Sequence, residues 1–252
     1  MNRWHDKVVL VTGASTGIGK ATARRLLEHG MTVVGCGRRL EALQELEVEL
    51  GSIGELTVIA CDVSDEEDVV SMFSKINKKY GGVDVCINNA GLSYQSPILS
   101  GESADWQRMF NVNVIGVLTV TREAVKSMKA KRSEESHIIN INSLSGHKVI
   151  NNPAIHVYSA TKFALTAITQ GTRFELQAEQ PSVNCRVSQI SPGLVETSFV
   201  YKALGEQRAS TMFQSFKALE TNDIAETVIH ILELPAHAQV QDIILTPYGH
   251  RL

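Results

Sequence analysis

Tyr158 and Lys162 stand four positions apart in Tyr158-Ser159-Ala160-Thr161-Lys162. On a helix that spacing places both side chains on one face, about 6 Å apart along the axis. A phenol ordinarily loses its proton near pH ~10. An ammonium held beside it favours the phenolate and lowers that value by roughly 1–3 units. The pair then becomes an acid/base usable near neutral pH. Tyr-x-x-x-Lys also occurs by chance on many helices, so its meaning depends on what the rest of the chain brings to the same place.

The elements around it alternate. Residues 8–11 form a continuous apolar run of the kind buried on both faces of a parallel sheet. That run leads directly into Thr12-Gly13-Ala14-Ser15-Thr16-Gly17-Ile18-Gly19, and an amphipathic helix follows to about Gly30. A glycine turn between strand and helix lets backbone N–H groups approach a phosphate at the helix's positive end. The bland alternative is a tight turn needing glycine for its dihedrals, and the spacing is not the G-x-G-x-x-G fingerprint.

A second strand, 31–36, ends in Gly37-Arg38-Arg39. In a dinucleotide fold this point meets the adenosine ribose, where an acid favours NAD. Two arginines stand there instead and suit a 2′-phosphate through forked, charge-assisted bonds. The expected cofactor is NADP, and only one of Arg38 and Arg39 need touch the phosphate. Further strands are expected at 56–60, ending in Cys61-Asp62-Val63; at 83–87, followed by Asn88-Asn89-Ala90-Gly91; at 137–142, ending at Ser143; at 183–190, followed by Ser191-Pro192-Gly193; and at 242–245. Helices are expected at 40–50, 65–79 (with Ser64 or Asp65 as N-cap), 104–131, 156–179 and 223–234. Alternation of this kind implies a Rossmann-type α/β fold, a doubly wound, parallel, seven-stranded sheet with helices on both faces. Ligands in such sheets lie beyond the carboxyl ends of the strands, where the glycine turn, Arg38, Asp62 and Asn89-Ala90-Gly91 all fall.

Asn113 interrupts the apolar stripe of 104–131; a buried asparagine needs partners, so it marks a local kink or a site residue. Residues 198–219, with Phe199, Val200, Tyr201, Leu204, Met212, Phe213 and Phe216, read as an amphipathic helix pair or a lid over the site.

Composition excludes several classes. The 252 residues are 43% apolar and 20% charged, with net charge -3 and no basic block, so neither nucleic acid nor an anionic membrane surface is indicated. No apolar run approaches a membrane span, and six residues before the first strand leave no room for a signal peptide. Cys36, Cys61, Cys86 and Cys185 lack metal-ligand spacing and read as buried thiols of a reducing, cytosolic protein. His250-Arg251-Leu252 faintly resembles a peroxisomal tripeptide, but His250 stands where a small residue belongs, and a solvated tail is the simpler reading. No repeat or linker divides the chain, so one domain is expected over 1–252.

Taken in order, Thr12-Gly13-x-x-x-Gly17-x-Gly19, Asn88-Asn89-Ala90-Gly91, Asn113, Ser143 with Tyr158-x-x-x-Lys162, and Pro192-Gly193 resemble the short-chain dehydrogenase/reductase family over essentially the full length. Phe110-Asn111-Val112-Asn113-Val114 and Ser145-Gly146-His147 are similar to a subgroup containing insect NADP-dependent farnesol dehydrogenases and vertebrate cytosolic reductases of hydroxysteroids and dicarbonyls. The resemblance implies that Tyr158 moves the proton, that Lys162 lowers its pKa and holds ribose hydroxyls, that Ser143 bonds the carbonyl oxygen, and that Asn113 holds a water feeding Lys162. It also implies a cofactor site of Gly13, Ser15, Thr16, Gly17, Ile18 and Gly19 at the pyrophosphate, Asp62 and Val63 at adenine, Asn89, Ala90 and Gly91 at ribose, and Pro192, Gly193, Val195 and Thr197 at the carboxamide. Ser145, His147, Val149, Asn151, Phe199, Tyr201 and Phe213 are the candidates for a wall around an apolar alcohol or ketone, with His147 equally readable as a satisfied loop histidine. A homo-oligomer and no metal are expected. A regulator that binds NADP without turnover is the competing class, which the intact Asn113, Ser143, Tyr158 and Lys162 oppose.

Overall fold

The computed structural model describes residues 1–179, 184–215 and 217–248. Val183, Phe216, the side chains of Leu204 and Met212, and the tail at 250–252 lie outside the described residues. Seven parallel strands form one sheet in the order β3-β2-β1-β4-β5-β6-β7. They are β1 (Val8–Thr12), β2 (Thr32–Gly37), β3 (Leu56–Ala60), β4 (Val85–Asn88), β5 (Ser136–Ile141), β6 (Cys185–Pro192) and β7 (Asp242–Leu245). The order reverses direction between β1 and β4, and a ligand crevice opens at such a switch point.

Alternation along the strands divides the core into two layers. Val9, Val11, Val33, Ile87, Ile139 and Ile190 face α1 (Gly17–Glu28), α2 (Leu40–Leu50) and a late helix, Thr221–Glu233, through Leu26, Leu46 and Val228. Val8, Leu10, Val34, Cys86, Ile138 and Val187 face α3 (Glu66–Tyr80) and a second helix, Val117–Lys131, through Met72, Ile76, Val120 and Met128. At about 25 cal/mol per Å² of apolar area removed from water, both layers stabilise the sheet and fix its register. Asp65 caps α3 by accepting from Glu67 N and Asp68 N.

The single helix expected over 104–131 is three pieces: α4 (Ser103–Phe110), a π-helical turn Asn111–Gly116, and α5 (Val117–Lys131). Its cause is tertiary. A Cβ on Gly116 would lie 2.7 Å from the Val63 carbonyl oxygen, so α5 approaches the β3 end as closely as backbone allows. The wide turn also directs the Asn113 side chain inward. Beyond β5 come α6 (His156–Ala178), then α7 (Ser198–Leu204), α8 (Glu206–Ser215) and α9 (Thr221–Glu233). The strand expected at 183–190 is displaced toward the carboxyl end, to Cys185–Pro192. The four cysteines are free thiols. No described helix is long and apolar enough to cross a membrane.

Candidate active site

A cleft of about 830 Å³ runs along the carboxyl ends of the strands. At one end the β1–α1 turn forms a cradle. Gly13 and Gly17 hold φ of 65° and 58°, a region that favours glycine. Gly19 does not line the cleft; a Cβ there would lie 2.3 Å from the Gly13 carbonyl oxygen, so it lets α1 close against its own turn. No side chain caps α1 and no acid occupies its first turn, which leaves N–H groups facing the cleft beside Ser15, Thr16 and Ile18. The cradle is tied to β4: Asn89 Nδ2 donates to the Thr12 and Gly13 carbonyls at 2.8 and 3.2 Å, and Thr12 Oγ1 accepts from Asn89 N and Ala90 N at 3.0 Å.

Arg38 and Arg39 border the same end, with Asp62 and Val63 opposite. Arg38 is largely exposed and 3.9 Å from Asp62 Oδ2, an ion pair loose enough to give way to a bound anion. Asp62 Oδ1 accepts from Ser64 N and Oγ at 3.0 and 2.7 Å, which fixes the turn at this border of the cleft. These features fit a phosphorylated dinucleotide: a backbone N–H cradle for the pyrophosphate, and guanidinium groups where an NAD-type fold would carry an acid.

At the other end Ser143, Tyr158 and Lys162 line the cleft together. Lys162 is buried, its Nζ 5.7 Å from the Tyr158 ring centroid and donating to the Ile141 carbonyl at 3.1 Å. Burial lowers the ammonium to about 8. Burial raises the Tyr158 phenol to about 12, against a downward pull from its hydrogen bond to Ser143. Burial outweighs every other influence on the phenol, and Ser143 supplies the downward pull. The ammonium bonds a backbone carbonyl, and desolvation, which favours the neutral form of each group, dominates both. At neutral pH the pair is a phenol beside an ammonium, the form that gives a proton away.

Asn113 does not line the cleft. Its Oδ1 accepts from Leu92 N at 2.9 Å, and its Nδ2 donates to the Leu92 carbonyl at 2.9 Å and to Thr161 Oγ1 at 3.0 Å. Both amide hydrogens are thus engaged, so the side chain clamps the loop after Gly91 to α6. His147 does not line the cleft either; it turns to Ser191 and Asp242. Ser145 and Phe199 do line it, and the Phe199 ring lies 5.9 Å from that of Tyr158. Tyr201 and Phe213 stack on each other, centroids 5.4 Å apart, and with Val149 and Asn151 stay outside the lining. Asn89, Ala90, Gly91, Pro192, Gly193, Val195 and Thr197 line the middle.

Val200 of the expected lid lines the cleft, and so do Leu92, Ser93, Leu144, Ile150, Asn152, Ile155 and Leu194, which the sequence does not single out. Position is the only signal they carry: each lies within a few residues of Gly91, Ser143, Tyr158 or Gly193. No group of three or more metal-ligating side chains occurs among the described residues.

Residues 7–208 match the family model described as short chain dehydrogenase. Dehydrogenase/reductase SDR family member 11 of Homo sapiens is 47% identical, over 98% of this chain and 96% of its own. Farnesol dehydrogenase of Aedes aegypti is 39% identical, over 100% of both chains. Among solved structures, the closed form of serine dehydrogenase complexed with NADP+ superposes with a TM-score of 0.86 at 31% identity, over 97% of this chain and 96% of that one. The alcohol dehydrogenase of Thermococcus sibiricus, complexed with 5-hydroxy-NADP, gives 0.83 at 28% identity, over 98% of each chain. With the glycine cradle at one end of its cleft and a serine, a tyrosine and a lysine at the other, the chain belongs to the short-chain dehydrogenase family.

Proposed function

We propose that this protein transfers a hydride between NADP(H) and an apolar alcohol or carbonyl, with Tyr158 as acid/base. One observation carries the reading: Ser143, Tyr158 and Lys162 share a continuous cleft with a phosphate cradle bordered by Arg38 and Arg39. The similar serine dehydrogenase structure is a complex with NADP+ and the Thermococcus sibiricus one a complex with 5-hydroxy-NADP, which supports the arginine reading. Gly13, Ser15, Thr16, Gly17 and Ile18 hold the pyrophosphate, with Gly19 shaping their turn. Arg38 and Arg39 hold the 2′-phosphate, Asp62 and Val63 flank adenine, and Asn89, Ala90 and Gly91 meet the ribose. Pro192, Gly193, Val195 and Thr197 meet the carboxamide. The dinucleotide supplies the hydride in reduction and accepts it in oxidation.

The protein's own residues manage the oxygen and its proton. Ser143 Oγ accepts from Ser145 N at 3.1 Å and bonds Tyr158, so a substrate oxygen that enters between them takes over the hydrogen that Ser143 gives the phenol. Tyr158, a phenol at neutral pH, gives its proton to that oxygen as negative charge builds there. Lys162 holds a positive charge at the base of the site and bonds ribose hydroxyls. Reduction uses the protonation state present at neutral pH; oxidation requires Tyr158 to lose its proton first and speeds up as pH rises.

Leu92, Leu144, Ile150, Ile155, Leu194 and Phe199 give the substrate end an apolar wall that suits an isoprenoid or steroid. The farnesol dehydrogenase relative supports the isoprenoid. Ser93, Ser145 and Asn152 interrupt that wall and support a second reading, a broad carbonyl and dicarbonyl reductase. Residues 198–219 act as the lid, with Phe199 against Tyr158. Turnover of farnesol, a hydroxysteroid and its ketone, an aromatic ketone and an aliphatic dicarbonyl separates the two: one lipid-like substrate far ahead supports the first, and a spread of weak activity supports the second.

The assembly is a homo-oligomer built on helix faces. Phe110, Ile115, Leu118, Phe163 and Phe174 are 39%, 50%, 43%, 41% and 61% exposed along α4, the π-turn, α5 and α6. Light scattering that finds only monomer would sink this assembly. A cytosolic setting accords with the free thiols.

A further inference from the structure

We propose that His147 is a positioning residue, which joins Asp242 of β7 to lock the Ser143 turn against the Pro192-Gly193 wall of the cleft. The inference rests on the reading of Ser143 given above. His147 closes the short 3-10 turn Leu144–Gly146, its N–H donating to the Leu144 carbonyl at 2.9 Å. Its Nε2 lies 3.0 Å from Asp242 Oδ2 and 2.9 Å from Ser191 Oγ. Ser191 Oγ gives its own hydrogen to Asp242, so Nε2 donates to Ser191 Oγ and meets Asp242 as a close polar contact rather than through its N–H. Ser191 Oγ donates to Asp242 Oδ1 at 2.9 Å, and Gln189 Nε2 donates to Asp242 Oδ2 at 3.0 Å. Gln189 Oε1 in turn accepts from Thr169 Oγ1, on the helix that carries Tyr158, at 3.0 Å.

One carboxylate thus takes donors from Ser191 and Gln189 of β6, lies 3.0 Å from His147 on the turn after β5, and reaches α6 through Gln189. What these groups hold in common is the cleft. Ser143 and Ser145 precede His147 on its turn, and Ser191 is followed directly by Pro192 and Gly193. Gly193 N also donates to the Leu245 carbonyl at 2.7 Å, so β7 braces that wall twice. Asn142 anchors the near end of the Ser143 turn, through its N–H to the Ile190 carbonyl at 2.7 Å. His147 anchors the far end. Both partners are partly open to solvent, 22% and 27% exposed, and a pair so placed adds little to global stability. Its effect is on register, and a misplacement of about 1 Å at a reacting centre costs on the order of 100-fold in rate.

The test compares His147→Ala, His147→Gln and Asp242→Asn with the wild type. Glutamine places an amide N–H near the position of Nε2. The proposal expects His147→Ala to lower kcat for carbonyl reduction by roughly 10–100-fold, with KM for NADPH and the melting temperature nearly unchanged, and His147→Gln to recover most of the loss. Asp242→Asn, which disrupts the donor set from the other side, should match His147→Ala. A rise in substrate KM with kcat unchanged would make His147 a substrate contact and overturn the proposal, as would wild-type kcat in His147→Ala. Hydrogen exchange gives a readout independent of turnover. The amides of Ser145, Gly146 and His147 should exchange faster in His147→Ala while those of α6 do not change; unchanged exchange in the turn would overturn the proposal. An inactive wild type whose turn still loosens in His147→Ala would contradict the proposed activity and leave the lock standing.

Discussion

With Lys162 holding the ribose hydroxyls as proposed, its charge sets the pH behaviour of cofactor capture. Its ammonium is 5% exposed and is lowered by burial to about 8. It is therefore about nine-tenths charged at pH 7 and about one-tenth charged at pH 9. The neutral amine loses a charge-assisted bond to the ribose, a difference of roughly 1.5–3 kcal/mol, or about 10–150-fold. kcat/KM for NADPH, measured at saturating carbonyl, reports the ionisations of the free enzyme. It should be level near pH 7, fall about tenfold per unit above pH ~8, and flatten at a floor roughly 10–150-fold lower. Tyr158, at about 12, stays protonated throughout, and the 2′-phosphate titrates near pH ~6, below this window. Lys162→Met should sit on the floor at every pH. A wild-type profile with no inflection between pH ~7 and ~9, or an inflection that survives in Lys162→Met, would refute the assignment.

Three further outcomes follow from the geometry. In Gly19→Ala the new Cβ lies 2.3 Å from the Gly13 carbonyl oxygen and 2.5 Å from Asn89 Nδ2, so the cradle must open; titration should show NADP affinity falling by more than about tenfold, and unfolding a loss of roughly 1–3 kcal/mol. Replacing Arg38 and Arg39 together by alanine should raise KM for NADPH by about 10–150-fold and leave KM for NADH unchanged; equal changes for both cofactors would remove the arginines from the 2′-phosphate. His137 is buried with its pKa lowered to about 3, chiefly by desolvation. The unfolded chain then binds the extra proton first, so the stabilisation is complete above pH ~6.5 and is lost by up to ~1.4 kcal/mol per unit as pH falls toward 3. Urea unfolding of His137→Gln between pH ~4 and ~7 should lack that slope.

The sheet was legible because its strands are buried on both faces and read as apolar runs ending in small or polar residues, such as Val8–Thr12 before Gly13. Residues near one another in sequence at those strand ends were legible for the same reason. Asn113 read as a kink or a site residue and His147 as a wall residue or a satisfied loop histidine, but which reading holds depends on partners remote in sequence. Leu92 and Thr161 capture one, and Ser191 and Asp242 the other. The interruption at Asn113 was readable, but its π form was not, and it accompanies a close approach of Gly116 to the Val63 carbonyl. The spacing of Tyr158 and Lys162 was plain, but the direction of their pKa shifts was not. Helical spacing gives proximity, while burial and the bond from Lys162 to Ile141 come from the folded whole.

Reduction of a carbonyl panel by NADPH, run beside NADH and beside Tyr158→Phe, tests the proposed chemistry most directly. The account predicts turnover with NADPH well ahead of NADH, and a loss of roughly 100–10,000-fold in Tyr158→Phe with NADP still bound. Tight NADP binding with no turnover, or full turnover in Tyr158→Phe, would contradict it.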